Sequence, residues 1–281
     1  MSCPKILASL LDDAAVFPPG NATIEQAVAG HLHHMRRVHS GLVGPLVLAA
    51  KDLGALALVL RDRPEHSLDL TLTVPLPETG QAISAARGVR SVRLVGLEVA
   101  VPDGTDAAEV LSALDAADID DDVTTFVEVP RDDRRNDLLR SLARTRYRAK
   151  FRTGGIRADL YPDEAELAAA VRSVVSFGVP FKATAGLHHA VRNTDPATAF
   201  EQHGFLNVLV ATGCAQDGAD HAEVAKVLAE RDGDRLAEQV RALDPSVRDA
   251  FSSFGTCSID EPITELVDLG LLDPRYKKDL A

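Results

Sequence analysis

The sequence has no tryptophan, and aromatic residues make up only 4% of its 281 positions. Any core must therefore be filled by aliphatic side chains and alanine. Cysteine is scarce: Cys3, Cys214 and Cys257 are odd in number and lack C-x-x-C spacing. That excludes a disulfide framework and a cysteine zinc site, so reduced thiols in a cytoplasmic protein are expected. Positive charge is in deficit, with 30 Lys and Arg against 42 Asp and Glu and a net charge of -12. Nucleic acid and anionic membrane surfaces, which call for basic stripes, are not expected partners. No run approaches the ~18 uncharged apolar residues of a membrane helix. The opening MSCPKILASLLDDAAV lacks the charged start and long apolar stretch of a signal peptide. No glycine-rich dinucleotide fingerprint follows the first apolar run and no recognised metal-ligand signature is present, so neither cofactor nor metal is expected, with a site joining His188 or His189 to Asp13 or Glu128 left open.

Hydrophobic residues make up 46% of the chain, enough for a large core. Short β-branched apolar runs alternate with longer amphipathic ones. Eight strands are predicted, near 6–11, 45–50, 68–74, 92–100, 124–129, 148–153, 179–184 and 205–211. Helix-period segments separate them, among them TIEQAVAGHLHHMRRV, DEAELAAAVRSVVSFG, DPATAFEQHG and DHAEVAKVLAERDGDRLAEQVRAL. Asp106 and Asp163 read as helix N-caps and Gly178 as a C-cap. Strict alternation requires parallel strands, because each crossover needs a helix. The expected fold is therefore α/β, a (β/α)8 TIM barrel forming one domain over 1–281. Residues 244–281 are expected to be a C-terminal helical extension that covers one barrel end or joins a homo-oligomer interface. An open doubly wound sheet is the alternative.

Strands of a parallel barrel are buried on both faces and should be apolar throughout. Several runs break this rule near their C-terminal ends, where active sites of this fold lie. LVGLEVAVP carries Glu98, TFVEVP carries Glu128, and AKFRTGG carries Lys150 and Arg152. VPFKATAGLHH carries Lys182, Thr184, His188 and His189, and FLNVLVATG carries Asn207. Alternation places Lys150 with Arg152 on one face and Lys182 with Thr184 on another. The apolar neighbours Leu97, Val99, Val127 and Val129 suit the helix-facing layer, which turns both glutamates inward. Asp12 and Asp13 end the first run at the same mouth, where one could bind substrate hydroxyls or pair Lys51. The histidines on the first helix, His31 and His34 among them, read as a solvated face.

Lys150 and Lys182 fall on adjacent strands at similar depth. Strands ~4.8 Å apart would bring the amines within about 6 Å. At an effective dielectric of ~20 the repulsion is roughly 3 kcal/mol, enough to lower one pKa by about two pH units. A lysine so depressed is nucleophilic and can form a Schiff base, with Glu98 or Glu128 carrying protons.

These motifs resemble deoxyribose-phosphate aldolase and its class I aldolase relatives. The family's Lys-x-x-Thr-Gly pattern, which bears the Schiff-base lysine, is matched by Lys150-Phe-Arg-Thr153-Gly154. A second lysine followed by small residues is matched by Lys182-Ala-Thr-Ala185-Gly186. The acid-Val-x-x-Pro proton relay is matched by Glu98-Val-Ala-Val-Pro102, with Glu for the family's Asp, and Phe126-Val127-Glu128 is similar to a fifth-strand pattern. The resemblance spans about residues 92 to 190. It implies a Schiff base on Lys150, a pKa-lowering role for Lys182 and proton transfer by Glu98. The family holds its phosphate on Gly and Ser residues after strands 7 and 8. The Ser pair is missing here, and Arg152 offers a fork for a carboxylate or phosphate instead. Gly154 and Gly155 could present N–H groups to the same anion.

The expected function is a carbon–carbon lyase, aldolase-like, acting on a small anionic carbonyl compound. Its catalytic groups would be Lys150, Lys182, Glu98 and Glu128. Substrate contacts would come from Arg152, Thr153, Gly154, Gly155, Thr184, His188, His189, Asn207, Asp13 and Lys51. The alternatives are a lyase or transferase whose lysines and arginine only bind anions, and a barrel that binds a small ligand without catalysis.

Overall fold

A computed structural model describes residues 3–65 and 67–280. Eight parallel strands close into a barrel. In chain order they are β1 (Leu11–Asp13), β2 (Val43–Ala49), β3 (Leu68–Pro75), β4 (Val92–Ala100), β5 (Thr124–Glu128), β6 (Arg148–Arg152), β7 (Phe181–Thr184) and β8 (Phe251–Thr256). Each strand pairs with its sequence neighbour, and β8 sits between β7 and β1 to complete the ring. The register sets Lys150 opposite Lys182 and Glu128 opposite Lys150.

Helices wrap the outside and start where their caps dictate. The helix Ile24–His34 opens on a capping box between Thr23 and Gln26, and the helix Ala107–Asp115 on one between Asp106 and Glu109. The side chain of Asp163 accepts the Glu166 N–H at the start of the helix Glu164–Ser176. After that helix, Gly178 takes a φ of +67° and lets the chain turn into β7. No helix among the described residues is long and apolar enough to cross a membrane.

The structure corrects the predicted layout in four places. The first strand starts at Leu11, not at residue 6, because Ser9 has a φ of 47° that extended backbone does not accept. The 205–211 run is the start of a helix, Phe205–Gln216, and every residue from Phe205 to Gly213 is buried. A helix apolar on all sides shows no 3.6-residue period, so the run is indistinguishable from a buried strand. The eighth strand is instead Phe251–Thr256, so 244–281 is not a helical extension: it holds a barrel strand as well as the helix Asp260–Asp268. Residues 195–204 are not helical; Asn193–Thr194 and Glu201–Gln202 pair as a short antiparallel ribbon around a turn capped by Asp195.

Five of the nine phenylalanines gather where β8 closes the ring. Phe151, Phe181 and Phe251 contact one another in series, with ring centroids 5.4 and 5.2 Å apart. Phe205 stacks on Phe254 at 4.6 Å, joining the buried helix to the last strand. This aromatic seam fixes β8 against β7, which positions the lysines of the site.

Candidate active site

Alternation along the strands puts Leu97, Val99, Val127, Phe151 and Phe181 under the helices. Glu98, Glu128, Lys150 and Lys182 therefore point inward, and they form one charged chain. Lys182 Nζ lies 2.5 Å from Glu98 Oε1 and 2.5 Å from Asp12 Oδ2. The other Glu98 oxygen, Oε2, is 3.5 Å from Lys150 Nζ, which is itself 2.9 Å from Glu128 Oε2. Asp12 also accepts a hydrogen bond from Ser253 Oγ at 2.6 Å, and Lys182 Nζ lies 5.3 Å from the centroid of the Phe126 ring.

Depth divides the two lysines. Lys182 is 1% exposed and does not border the large cavity at the barrel mouth, whereas Lys150, Glu98 and Glu128 do. Burial acts to lower the Lys182 pKa, but Asp12 and Glu98 overcome it and raise it above the ordinary value, so the group stays an ammonium. Burial acts to raise the Glu98 pKa, yet Lys182 and Lys150 outweigh it and hold the carboxyl below its usual range. For Asp12 burial prevails over Lys182 and Ser253, and its pKa lies above the usual carboxylate value. Bare repulsion between the amines, expected to strip one of its proton, is not what the structure contains. Glu98 stands between them, and its charge offsets the repulsion.

The cavity encloses about 1230 Å³. Lys51, Arg152, Gly155, Thr184, His188 and His189 border it. Lys51 is exposed on the turn after β2. Arg152 Nε donates to the Gly154 carbonyl at 3.0 Å, and among the described residues no carboxylate pairs with its guanidinium. The His188 Nδ1 is 3.4 Å from Cys257 Sγ. Burial lowers the pKa of this histidine and raises that of the thiol, so both are neutral. His189 is tied to Glu265 at 2.6 Å, and that hydrogen bond raises its pKa.

Four expected substrate contacts lie elsewhere. Asn207, on the buried helix, accepts from the Arg192 N–H and donates to the carbonyls of Val227 and Glu230. It is a structural staple, placed there because its run is helical. Asp13 turns away from the cavity to His31, 3.1 Å away, which makes His31 a buried partner and not part of a solvated face. Thr153 is fully buried, its hydroxyl donating to the Ala185 carbonyl at 2.6 Å and so tying the loop after β6 to the one after β7. Gly154 does not border the cavity either. A Cβ there would come within 2.6 Å of Tyr161 Cε1, so the glycine is a seat for that ring.

Asp12, Ser253 and Phe126 complete the charged chain without having been read as parts of it. Asp12 pairs Lys182 instead of Lys51, a partner that depends on β1 and β7 flanking the same eighth strand. Among the described residues no cluster of three His, Cys, Asp or Glu side chains is arranged to hold a metal ion.

No protein family and no curated protein matches the sequence. Among solved structures the chain is similar to dihydrodipicolinate synthase from Thermotoga maritima, with 10% identity over 86% of this chain and 83% of that one and a TM-score of 0.43. A monomeric dihydrodipicolinate synthase variant aligns at 8% identity over 84% of this chain and 81% of its own, with a TM-score of 0.39. A proposed fructose-1,6-biphosphate aldolase from Coccidioides immitis aligns at 12% identity over 97% and 86% of the two chains, with a TM-score of 0.33. At these identities and scores the likenesses carry no inference about the reaction.

Proposed function

We propose that the barrel is a carbon–carbon lyase of the aldolase type, working through a Schiff base on Lys150. The observation that carries this reading is the placement of the Lys150 amine: at the cavity floor, with Glu128 at 2.9 Å and Glu98 at 3.5 Å. Glu128 takes the ammonium proton, and the neutral amine adds to the substrate carbonyl; a proton then passes from the added nitrogen to the oxygen to give a neutral carbinolamine. The proton on Glu128 then leaves with that hydroxyl as water, and the C=N bond forms as a cationic iminium. The iminium draws the electron pair of the adjacent carbon–carbon bond into an enamine. Glu128, now ionised, removes the β-hydroxyl proton as the aldehyde departs and returns it to the enamine carbon; water then hydrolyses the iminium, freeing the second product and restoring the Lys150 ammonium.

Glu98, kept ionised by Lys182, stabilises the iminium charge. The proton-carrying role expected of Glu98 therefore passes to Glu128, whose side chain is 26% exposed and can exchange with solvent. Lys182 holds Glu98 in place and ionised. Arg152, free of carboxylate partners, grips an anionic group of the substrate. An anion-binding role for the lysines themselves is disfavoured, since both are already paired, Lys182 with Asp12 and Glu98 and Lys150 with Glu98 and Glu128.

Borohydride reduction in the presence of a panel of carbonyl compounds, followed by peptide mass spectrometry, tests the reading. An adduct on Lys150 is expected. Labelling confined to exposed lysines, or none with any carbonyl, would overturn it.

A further inference from the structure

The cavity floor is charged, and above it one side of the wall is built from aromatic rings, although Lys51, Glu78, Asp195 and Glu261 also border the space. Tyr161 packs its ring onto the backbone of two glycines: a Cβ on Gly154 or on Gly186 would lie 2.6 or 2.8 Å from Tyr161 Cε1. Gly186 has a φ of +75°, so the chain there is shaped to pass beneath the ring. Phe200, carried on the turn between Asn193–Thr194 and Glu201–Gln202, meets the Tyr161 ring at 5.5 Å and 56°. Both rings border the cavity, as does the apolar turn Phe17-Pro18-Pro19 that follows β1. Ile156, 78% exposed, stands at the rim beside Gly155. The Tyr161 hydroxyl has no hydrogen-bond partner among the described residues.

At about 1230 Å³ the space exceeds the ~300–1,000 Å³ of pockets that hold drug-sized ligands. A keto acid of three or four carbons would occupy only its floor and leave the ring pair wet.

We infer that the cavity takes a carbonyl acid with an aromatic tail, the tail seated against Tyr161 and Phe200 and the Tyr161 hydroxyl available to a polar substituent on it. The inference rests on the proposed Lys150 chemistry for the position of the carbonyl, but the seat itself needs no covalent step. Offset or edge contacts with two rings, added to the burial of a phenyl group, suffice for about a tenfold preference over a methyl tail.

Two measurements separate this inference from the Schiff-base reading. The first is borohydride trapping with phenylpyruvate and pyruvate at equal concentration. Phenylpyruvate is expected to react about tenfold faster, and Tyr161→Ala and Phe200→Ala to reduce that ratio by a similar factor. The second is thermal unfolding of the wild-type protein with 3-phenylpropionate, which has no carbonyl to condense, against propionate. Only the aromatic acid is expected to raise the Tm. A Tm shift without any trapped adduct would sustain the aromatic seat and sink the Lys150 chemistry. Adducts formed at equal rates from both keto acids, with no Tm shift, would do the reverse. The absence of both the preference and the shift overturns the inference.

Discussion

Lys182 and Asp12 stand 170 residues apart in sequence and 2.5 Å apart in space, their side chains meeting inside the barrel past the strand that separates them. With Lys182 also on Glu98, one buried ammonium answers two buried carboxylates. Removing one member of such a group leaves an uncompensated charge. Lys182→Met is therefore expected to lower the unfolding free energy by about 3–5 kcal/mol, measured by urea denaturation. Adding Asp12→Asn to it should recover part of the loss, because one of the stranded charges is then gone.

Lys150 is a different case, since its amine opens onto the cavity where water can replace it. Lys150→Ala should leave the urea midpoint close to the wild type and abolish carbonyl trapping and cleavage. Retained turnover in this variant would refute its assigned role.

Glu128→Gln separates proton transfer from binding. General acid–base groups contribute about 10²–10⁴-fold, and a loss of that size in the rate of adduct formation is expected, with stability little changed because the side chain is only half-buried. A fall in stability without a fall in rate would make Glu128 a structural partner of Lys150 and nothing more.

His203 supplies a pH dependence unrelated to the reaction. It is buried, donates from Nε2 to the Pro162 carbonyl at 2.8 Å, and faces the Arg192 guanidinium at 3.2 Å through Nδ1. Burial, with Arg192 adding to it, depresses its pKa from 6.5 to about 4. The folded protein therefore binds fewer protons here than the unfolded chain. The stabilising contribution is whole above pH 6.5 and is lost as pH falls toward 4, by about 3 kcal/mol in all. Stability curves of wild type and His203→Gln should differ in slope across that window, with the variant flatter.

Gly44, on β2, marks how closely the strands approach the buried charges. A Cβ there would lie 2.2 Å from Asp12 Oδ1. Gly44→Ala should force the carboxylate off Lys182 and Ser253 or part β1 from β2, at a cost of about 1–3 kcal/mol in the same denaturation assay.

The strands from 43 to 184 were legible as short apolar runs between amphipathic ones, and the site was legible because charge interrupted β4 to β7. Glu98, Glu128, Lys150 and Lys182 are anomalous in apolar runs, and alternation alone turned them inward. What escaped had no such contrast. The helix from Phe205 is apolar on every side, so periodicity said nothing about it. Phe-Ser-Ser-Phe-Gly-Thr, the true last strand, lacks a β-branched apolar run and so fell within the expected helical extension; its Ser253 donates to Asp12 inside the barrel. Asp12 itself was visible as a charge at the barrel mouth, but its partner was not. The pairing depends on which strand completes the ring, and local sequence does not encode that. The Tyr161–Phe200 wall stayed hidden for a related reason, since the loops carrying the two rings meet only in the folded chain.

The late position of β8 has a bearing on how the chain comes off the ribosome. At ~5–20 residues per second, seven strands stand without their closing member for roughly 3–13 seconds. During that interval β1 and β7 are raw edges of the kind that recruit strands from other molecules. Those same two edges carry Asp12 and Lys182, which meet inside the finished barrel past residues 251–256, although Glu98 can pair Lys182 before then. Charge on a naked edge discourages foreign pairing, so the groups that end up sealed beneath the cavity would first serve the nascent chain as a guard against aggregation.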